Sequence, residues 1–302
     1  MSGTALILGA NGRFGSHAAA AFWNACWHVK IFERGRDDLI EEARGADVIV
    51  NGWNPGYPDW ARAVPQITEA VIEAAAASGA TVILPGNVYV FGEDAPARLG
   101  AATPHAAENP LGQVRAEMEA AYRSAGVQTI VLRAGDFLDT EASGNWFDKV
   151  IARAAPKGWL EYPGPLDAPH AWAYLPDLAR AAVALAERRA ELPAFTDVPF
   201  PGYTLTGQEI AQAAAAALGR PIEARQMCWL PIKLARPVWP LARYLVEMRY
   251  LWSKPHWLDG AHFDALVPDF VPTPVPLALR RALQHQIHPD KPMAGGAVAS
   301  AA

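Results

Sequence analysis

The stretch LILGANGRFGSH places Gly9, Gly12 and Gly15 between an apolar run and an Ala-rich helix former. No other feature narrows the fold as much. Glycines there let a strand turn tightly into a helix, let backbone amides approach a pyrophosphate, and let the helix pack close to the strand. The helix N-terminus then presents unpaired N–H groups and a partial positive charge to the phosphates. Gly9, Asn11, Gly12, Arg13, Phe14 and Gly15 are therefore the expected dinucleotide-binding loop.

The chain around this loop alternates. TALILG, HVKIFE, ADVIVN, ATVILPG and VQTIVLRAG read as short buried strands. Between them lie helical stretches: Ser16 to Cys26, DDLIEEARG, WARAVPQITEAVIEAAAASG and ENPLGQVRAEMEAAYRSAG. Alternation of this kind predicts an α/β fold with a doubly wound parallel sheet of the Rossmann type. After about Phe137 strands shorten and Pro and Trp become frequent, which marks a smaller substrate lobe. The expected division is a dinucleotide-binding domain over 1–165, which later segments can rejoin, and a smaller lobe over 166–289. A tail over 290–302, Gly/Ala/Ser-rich and without periodicity, reads as disordered. Within the second lobe, TGQEIAQAAAAALG carries a capping box, Thr206 and Glu209, and ends at Gly219. The stretch CWLPIKLARPVWPLARYLVEMRYLWSKPHW pairs aromatics with Lys233, Arg236, Arg243 and Arg249. A membrane surface or a partner subunit would suit it, but Pro231, Pro237 and Pro240 interrupt it, and it reads as substrate-lobe core.

Bulk properties remove several classes of function. The formal net charge is −5 and no stretch is strongly basic, which argues against a nucleic-acid partner. Cys26 and Cys228 are far apart and form no CxxC, so neither a disulfide framework nor a zinc site is expected. They read as buried small hydrophobes in a protein of the reducing cytoplasm. The N-terminus has no basic region ahead of its apolar run, and no run of about 20 apolar residues exists, so neither a signal peptide nor a transmembrane segment is expected. Eleven tryptophans, several in the second lobe, hint at an aromatic or apolar small-molecule ligand. The composition is silent on oligomeric state, and an oligomer is compatible with it.

The order of motifs resembles the short-chain dehydrogenase/reductase superfamily, in its extended and atypical branches, which include the NAD-dependent epimerase/dehydratase group. The glycine loop is G-x-x-G-x-x-G. ADVIVNGWNP, LPGNVYVFGE, NPLGQVRAEME, AWAYLPDLARA and YTLTGQEIAQA follow in the family's sequence of segments, so that the resemblance spans about residues 4 to 285. In that family a Tyr and a Lys four apart on a helix, with a Ser or Thr at an earlier strand end, carry alcohol oxidation. Here the resemblance puts Leu111 at the Tyr position, Arg115 at the Lys position and Asn87 at the Ser position. Leu has no titratable proton. Arg bonds ribose hydroxyls with a geometry and pKa unlike those of Lys. Leu111 and Arg115 share one helix face, and the resemblance implies that this face meets the cofactor without the family's usual chemistry.

The remaining candidates follow from position. Glu33 ends the second strand and is followed by Arg34 and Arg36. A carboxylate there suits the ribose 2′-hydroxyl of NAD and a guanidinium suits the 2′-phosphate of NADP. The two arginines favour NADP, with NAD as the alternative. The resemblance puts Asn51 and Gly52 against the cofactor; Trp53, Asn54 and Tyr57 follow in the same loop and would line a floor or lid, with Trp53 and Asn54 expected to touch substrate. Tyr89, two residues after Asn87, would share its face on an extended strand and supply the missing proton. Asp136 ends a parallel strand, where ligands gather. His170, Trp172 and Tyr174 lie in a segment that borders substrate in the resembled family, and His170 can titrate near neutrality. Two functions fit: an atypical NAD(P)-dependent oxidoreductase or epimerase-like enzyme using Tyr89, Asn87 and Arg115, or a non-catalytic NADP(H)-binding redox sensor or assembly subunit.

Overall fold

A computed structural model of the chain describes residues 3–287; the expected tail over 290–302 lies outside them. Along the chain the strands are β1 (Thr4–Leu8), β2 (His28–Phe32), β3 (Val48–Asn51), β4 (Thr81–Gly86), β5 (Arg98–Leu99), β6 (Thr129–Arg133), β7 (Asp136–Leu138), β8 (Trp159–Tyr162), β9 (His170–Tyr174), β10 (Phe195–Pro199), β11 (Tyr203–Leu205), β12 (Glu223–Gln226) and β13 (Trp257–Leu258). The α-helices are α1 (Arg13–Asn24), α2 (Leu39–Ala43), α3 (Trp60–Ser78), α4 (Pro110–Ala125), α5 (Leu175–Glu187), α6 (Gly207–Leu218), α7 (Leu230–Ala235), α8 (Pro240–Glu247), α9 (Tyr250–Ser253), α10 (Ala261–Leu266) and α11 (Val275–Ile287).

Six strands make one parallel sheet in the order β10-β6-β4-β3-β1-β2. The inner strands are buried on both faces, which explains their unbroken apolar runs. On β1, Leu6 and Leu8 join one core with Trp60, Leu111, Met118 and Tyr122. Ala5 and Ile7, one residue out of phase, join another with Phe14, Phe22 and Leu178. Helices therefore cover both faces, and β1 departs to β2 on one side and β3 on the other. That reversal opens a crevice at the strands' carboxyl ends.

The second lobe is built on β9, which pairs with β7 in parallel and β11 in antiparallel. Its core gathers Leu138, Phe147, Tyr162, Trp172, Trp252 and Leu283. The two lobes are interleaved in sequence. β7 and β8 already belong to the smaller sheets, while β10 returns to the edge of the large one. The capping box at Thr206 and Glu209 is present, and Gly219 closes α6 in the left-handed region.

Three expectations are corrected. Cys26 and Cys228 are exposed: Cys26 sits at φ 61° in the turn that ends α1, and Cys228 lies in the link between β12 and α7. The aromatic stretch is core only in part. Met248, Leu251 and Trp252 are buried, whereas Leu230, Leu234, Val238 and Trp239 are exposed, because prolines break the segment into short helices that cannot all face inward. Tyr89 is not on an extended strand. β4 stops at Gly86, the Asn87 Oδ1 accepts from the Tyr89 backbone N–H at 3.0 Å, and Tyr89–Phe91 form a 3-10 turn.

Candidate active site

The glycine loop sits at the crevice with little room to spare. Gly9 has φ +75°, and a Cβ on Gly15 would lie 2.1 Å from the Gly9 carbonyl oxygen. A Cβ on Gly52, after β3, would lie 2.8 Å from the Leu8 oxygen and 3.2 Å from the Gly15 Cα. Three backbone segments thus close on one point, and only glycine permits it. Gly12 caps α1 without any side-chain cap, and the first turn of α1 carries no acidic residue. Its amide groups remain available to an anion. Phe14 turns into the core, Asn11 is exposed, and the Arg13 guanidinium donates to the Ser143 and Gly144 carbonyls at 3.0 and 2.9 Å. Arg13 therefore ties the loop to the second lobe.

Trp53 stands beside this loop. Its Cδ1 would be 3.0 Å from a Cβ on Gly9, its ring meets Phe32 edge-on at 5.4 Å, and the Arg34 guanidinium lies over it at 4.5 Å. The structure places Trp53 at the β2 side of the crevice, away from the substrate side expected from sequence. Arg36 is taken up by Glu33 at 2.6 Å and Asp37 at 2.8 Å. These neighbours raise the pKa of Arg36 and lower that of Asp37, chiefly through their mutual hydrogen bond. Asn51 is buried; its amide donates to the Tyr122 hydroxyl at 3.2 Å and its carbonyl accepts from the Trp53 N–H at 3.2 Å, which fixes the turn after β3.

On the other side of the crevice, the helix face of Leu111 and Arg115 is closed. Leu111 is 2% exposed within the core, so it presents no open face to a ligand. Its backbone N–H donates to the Glu247 carboxylate at 2.8 Å, where a carboxylate from α8 neutralises the N-terminus of α4. Arg115 is buried over the Trp60 ring at 4.0 Å and donates to the Asn54 carbonyl oxygen at 2.6 Å and the Met118 sulfur at 3.3 Å. Burial lowers its pKa, although nearby Glu119 opposes this. Asn54 and Arg115, expected in different roles, are partners.

Two polar side-chain pairs lie near one another, close enough for Asp136 to act on both tyrosines. The Tyr57 and Tyr89 hydroxyls are 2.7 Å apart, with Trp60 packed against both rings. Burial pushes both phenols up, Tyr89 well above its ordinary value, and the Asp136 carboxylate adds to the shift in each. The second pair is Asp136 and His170, with Nε2 at 2.8 Å from the carboxylate. His170 is 2% exposed, stacked on Trp252 at 4.4 Å and 1° and edge-on to His256 at 4.5 Å. Asp136 also raises the Tyr162 phenol, after burial, so its charge reaches both clusters. Within the described residues, His170 Nδ1, His256 Nε2, Trp172 Nε1 and the Tyr162 and Tyr174 hydroxyls are among the buried polar atoms without a hydrogen-bond partner. Trp172 and Tyr174 share the His170 face of β9 and, like His170, are buried, within the second lobe's core.

Sequence reasoning missed three contributors. Trp252 and His256 come from a distant segment and carry no local signature. Arg133, at the end of β6, is fully buried. It donates to Glu119 at 2.7 Å, to Asp197 at 3.1 Å and to the Asn87 carbonyl at 2.6 Å. This clamp joins α4, β6, β10 and the Asn87 turn. Burial opposes the Arg133 charge, but the two carboxylates outweigh it and hold its pKa above the ordinary value. An arginine inside the apolar run TIVLR was the available signal.

No protein-family model matches the chain, and no curated protein matches it in sequence. Solved structures do match in shape. A nucleoside-diphosphate-sugar epimerase from Pseudomonas aeruginosa superposes with a TM-score of 0.70 at 16% identity, over 96% of this chain and 98% of that one. UDP-glucose 4-epimerase from Brucella ovis, solved with NAD, gives 0.70 at 15% identity over 95% and 99%. A UDP-glucuronic acid 4-epimerase variant from Bacillus cereus, solved with NAD and a fluorinated UDP-sugar, gives 0.71 at 15% identity over 94% and 98%. The chain therefore carries the fold of the nucleoside-diphosphate-sugar epimerases.

Proposed function

We propose that the protein is an epimerase-like oxidoreductase that binds a nicotinamide dinucleotide in the crevice and replaces the usual tyrosine–lysine pair with Tyr89, supported by Tyr57. The observation that carries the reading is the glycine cradle, where Gly9, Gly15 and Gly52 close on one point beside the uncapped N-terminus of α1. A dinucleotide bound there would supply hydride acceptance or donation. Gly9, Gly12, Gly15 and the α1 amides would hold its pyrophosphate, and Trp53 with Arg34 would flank its adenosine half. At the second strand's end we infer NAD rather than NADP. Arg36, half of the argument for NADP, is occupied by Glu33 and Asp37, and a 2′-phosphate would meet both carboxylates.

Tyr89 carries its proton at neutral pH, as any phenol does, and burial strengthens its hold on that proton. Its hydroxyl, braced by Tyr57 at 2.7 Å, would hydrogen-bond an oxygen that gains negative charge and pass the proton on as that oxygen becomes more basic. Asn87 shapes the turn through its backbone and side chain rather than standing beside Tyr89. Arg115 acts from beneath, through Trp60 and Asn54. The small-molecule substrate would lie toward Asp136, His170 and Tyr162. The NAD-bound UDP-sugar 4-epimerases that share the fold suggest the first substrate panel.

Binding is tested by energy transfer from tryptophan to NADH and NADPH. Turnover is then assayed on UDP-sugars and a carbonyl panel. Tyr89→Phe should lower kcat by about 10²–10⁴, the usual worth of a positioned acid, without changing cofactor affinity. Absence of cofactor binding overturns the reading. A second reading, a dinucleotide-binding protein without turnover, is favoured by the burial of Leu111 at the tyrosine position. Binding with no turnover on any substrate, and no effect of Tyr89→Phe, would select it.

A further inference from the structure

We infer that the segment from Trp229 to Leu245 docks on an anionic membrane surface. Its outward face is apolar: Leu230 is 58% exposed, Leu234 70%, Val238 85% and Trp239 42%. Leu230 and Leu234 lie one turn apart on α7 and so share a face. Val238 and Trp239 continue the patch through the link to α8. Exposed cations are interspersed with it along the chain at Lys233, Arg236 and Arg243. From Gln226 to Val246 the chain carries those three cations and no Asp or Glu, within a molecule of formal charge −5.

The segment is held from behind, so the exposed face is not a loose end. The Trp229 indole donates to the Pro163 carbonyl at 2.6 Å, Ile232 packs on the second lobe's core, and Ala242 is fully buried. On α8, Tyr244 packs against Tyr57 at 6.5 Å, which joins the docking face to the wall of the candidate active site. No helix among the described residues is long and apolar enough to cross a membrane, so the contact is interfacial. Exposed aliphatic residues, a tryptophan and neighbouring Lys and Arg are what an interfacial surface requires. A second copy of the chain fits less well. A two-fold contact through the same patch would bring both copies' sets of Lys233, Arg236 and Arg243 into one interface, with no acidic residue from the segment to offset them.

The full chain is sedimented with phosphatidylcholine–phosphatidylglycerol vesicles and with pure phosphatidylcholine vesicles. The expected result is binding to the anionic vesicles only, released by salt because the attraction is screened. Lys233→Glu should weaken it by about tenfold or more, since each basic residue near such a surface is worth ~1 kcal/mol and the substitution reverses the charge. Leu234→Glu should weaken it comparably. Both positions are exposed, so melting temperature should not change, and Val271→Asp, at a 73% exposed position outside the segment, should leave binding intact. Equal binding to both vesicles, no binding to either, or indifference to Lys233→Glu and Leu234→Glu overturns the proposal. A dimer dissolved by Leu234→Glu would assign the face to a second copy instead. None of these outcomes depends on the cofactor.

Discussion

The two halves of the crevice are built by opposite means. The half at β1 and β3 is made of backbone. Gly9, Gly15 and Gly52 matter for what they lack, and a single Cβ at Gly15 would meet the Gly9 oxygen at 2.1 Å. The half at β6 and β7 is made of side chains from distant segments. Tyr57 meets Tyr89, Asp136 meets His170, and Trp252 and His256 close over the histidine. A backbone site fixes the class of ligand, because phosphate recognition needs only amides and a helix end. A side-chain site fixes the chemistry.

Arg133 braces the side-chain half from beneath, through α4, β10 and the Asn87 turn, and its removal should have the largest effect. Arg133→Ala would leave Glu119 and Asp197 buried without their cation and release the Asn87 turn. Breaking a buried pair by removing one partner costs about 3–5 kcal/mol, read as a lower midpoint of urea unfolding. If the loss stays below ~1 kcal/mol, Arg133 is not the frame of the side-chain half. Next, Gly15→Ala should break the backbone half alone. The clash is with main chain rather than a flexible side chain, so a cost of about 3 kcal/mol, the upper end of ordinary overpacking, is expected. Dinucleotide binding should be lost with it. Unchanged binding would show that helix α1 can retreat from β1 without harm to the cradle.

The side-chain half can be probed by acid. Burial, aided by nearby His170, pushes the His256 pKa from 6.5 down to about 3. The unfolded chain therefore binds a proton that the folded chain refuses between those two values. Stability is complete above about pH 6.5 and falls as pH drops toward 3. At pH 5 the gap of about 1.5 units amounts to ~2 kcal/mol. His105, also lowered chiefly by burial, adds a smaller contribution of the same sign. His256→Phe should flatten the fall between pH 6.5 and 4 in chemical denaturation. An unchanged slope would mean that His256 gains solvent when protonated and is not part of a closed cluster.

The same contrast explains what was legible in the sequence. The cradle was readable because its signal is local: three glycines within seven residues, preceded by an apolar run and followed by a helix former. The parallel sheet was readable for a similar reason, since strands buried on both faces leave unbroken apolar runs. Tyr89 was misplaced because one hydrogen bond, from its own N–H to the Asn87 side chain, turns a strand end into a 3-10 turn. Leu111 and Arg115 were correctly read as sharing a helix face, but their surroundings depend on Trp60, Asn54 and Glu247, which no local pattern announces. Asp136 and His170 were each singled out, and their pairing emerges only from the alignment of β7 with β9. The aromatic segment was legible in composition, yet its two faces separate only in three dimensions.

The smallest expected effect concerns the end of β2, where side chains modulate the backbone half. Glu33 pairs with Arg36, and both are more than half exposed, so solvent screens the pair and its loss should leave stability almost unchanged. Cofactor choice is the sensitive readout. Glu33→Gln removes the carboxylate that a ribose 2′-hydroxyl would meet, and it also frees Arg36 from one of its two partners. Both changes favour a 2′-phosphate. The ratio of NADPH to NADH affinity should therefore rise by about fivefold, equivalent to ~1 kcal/mol, the size of one exposed charged contact. Titration of both nucleotides against the wild type and the variant measures that ratio directly. A fixed ratio with both cofactors bound would mean that the ribose lies out of reach of Glu33, and the adenosine half would have to be sought closer to Trp53 and Arg34.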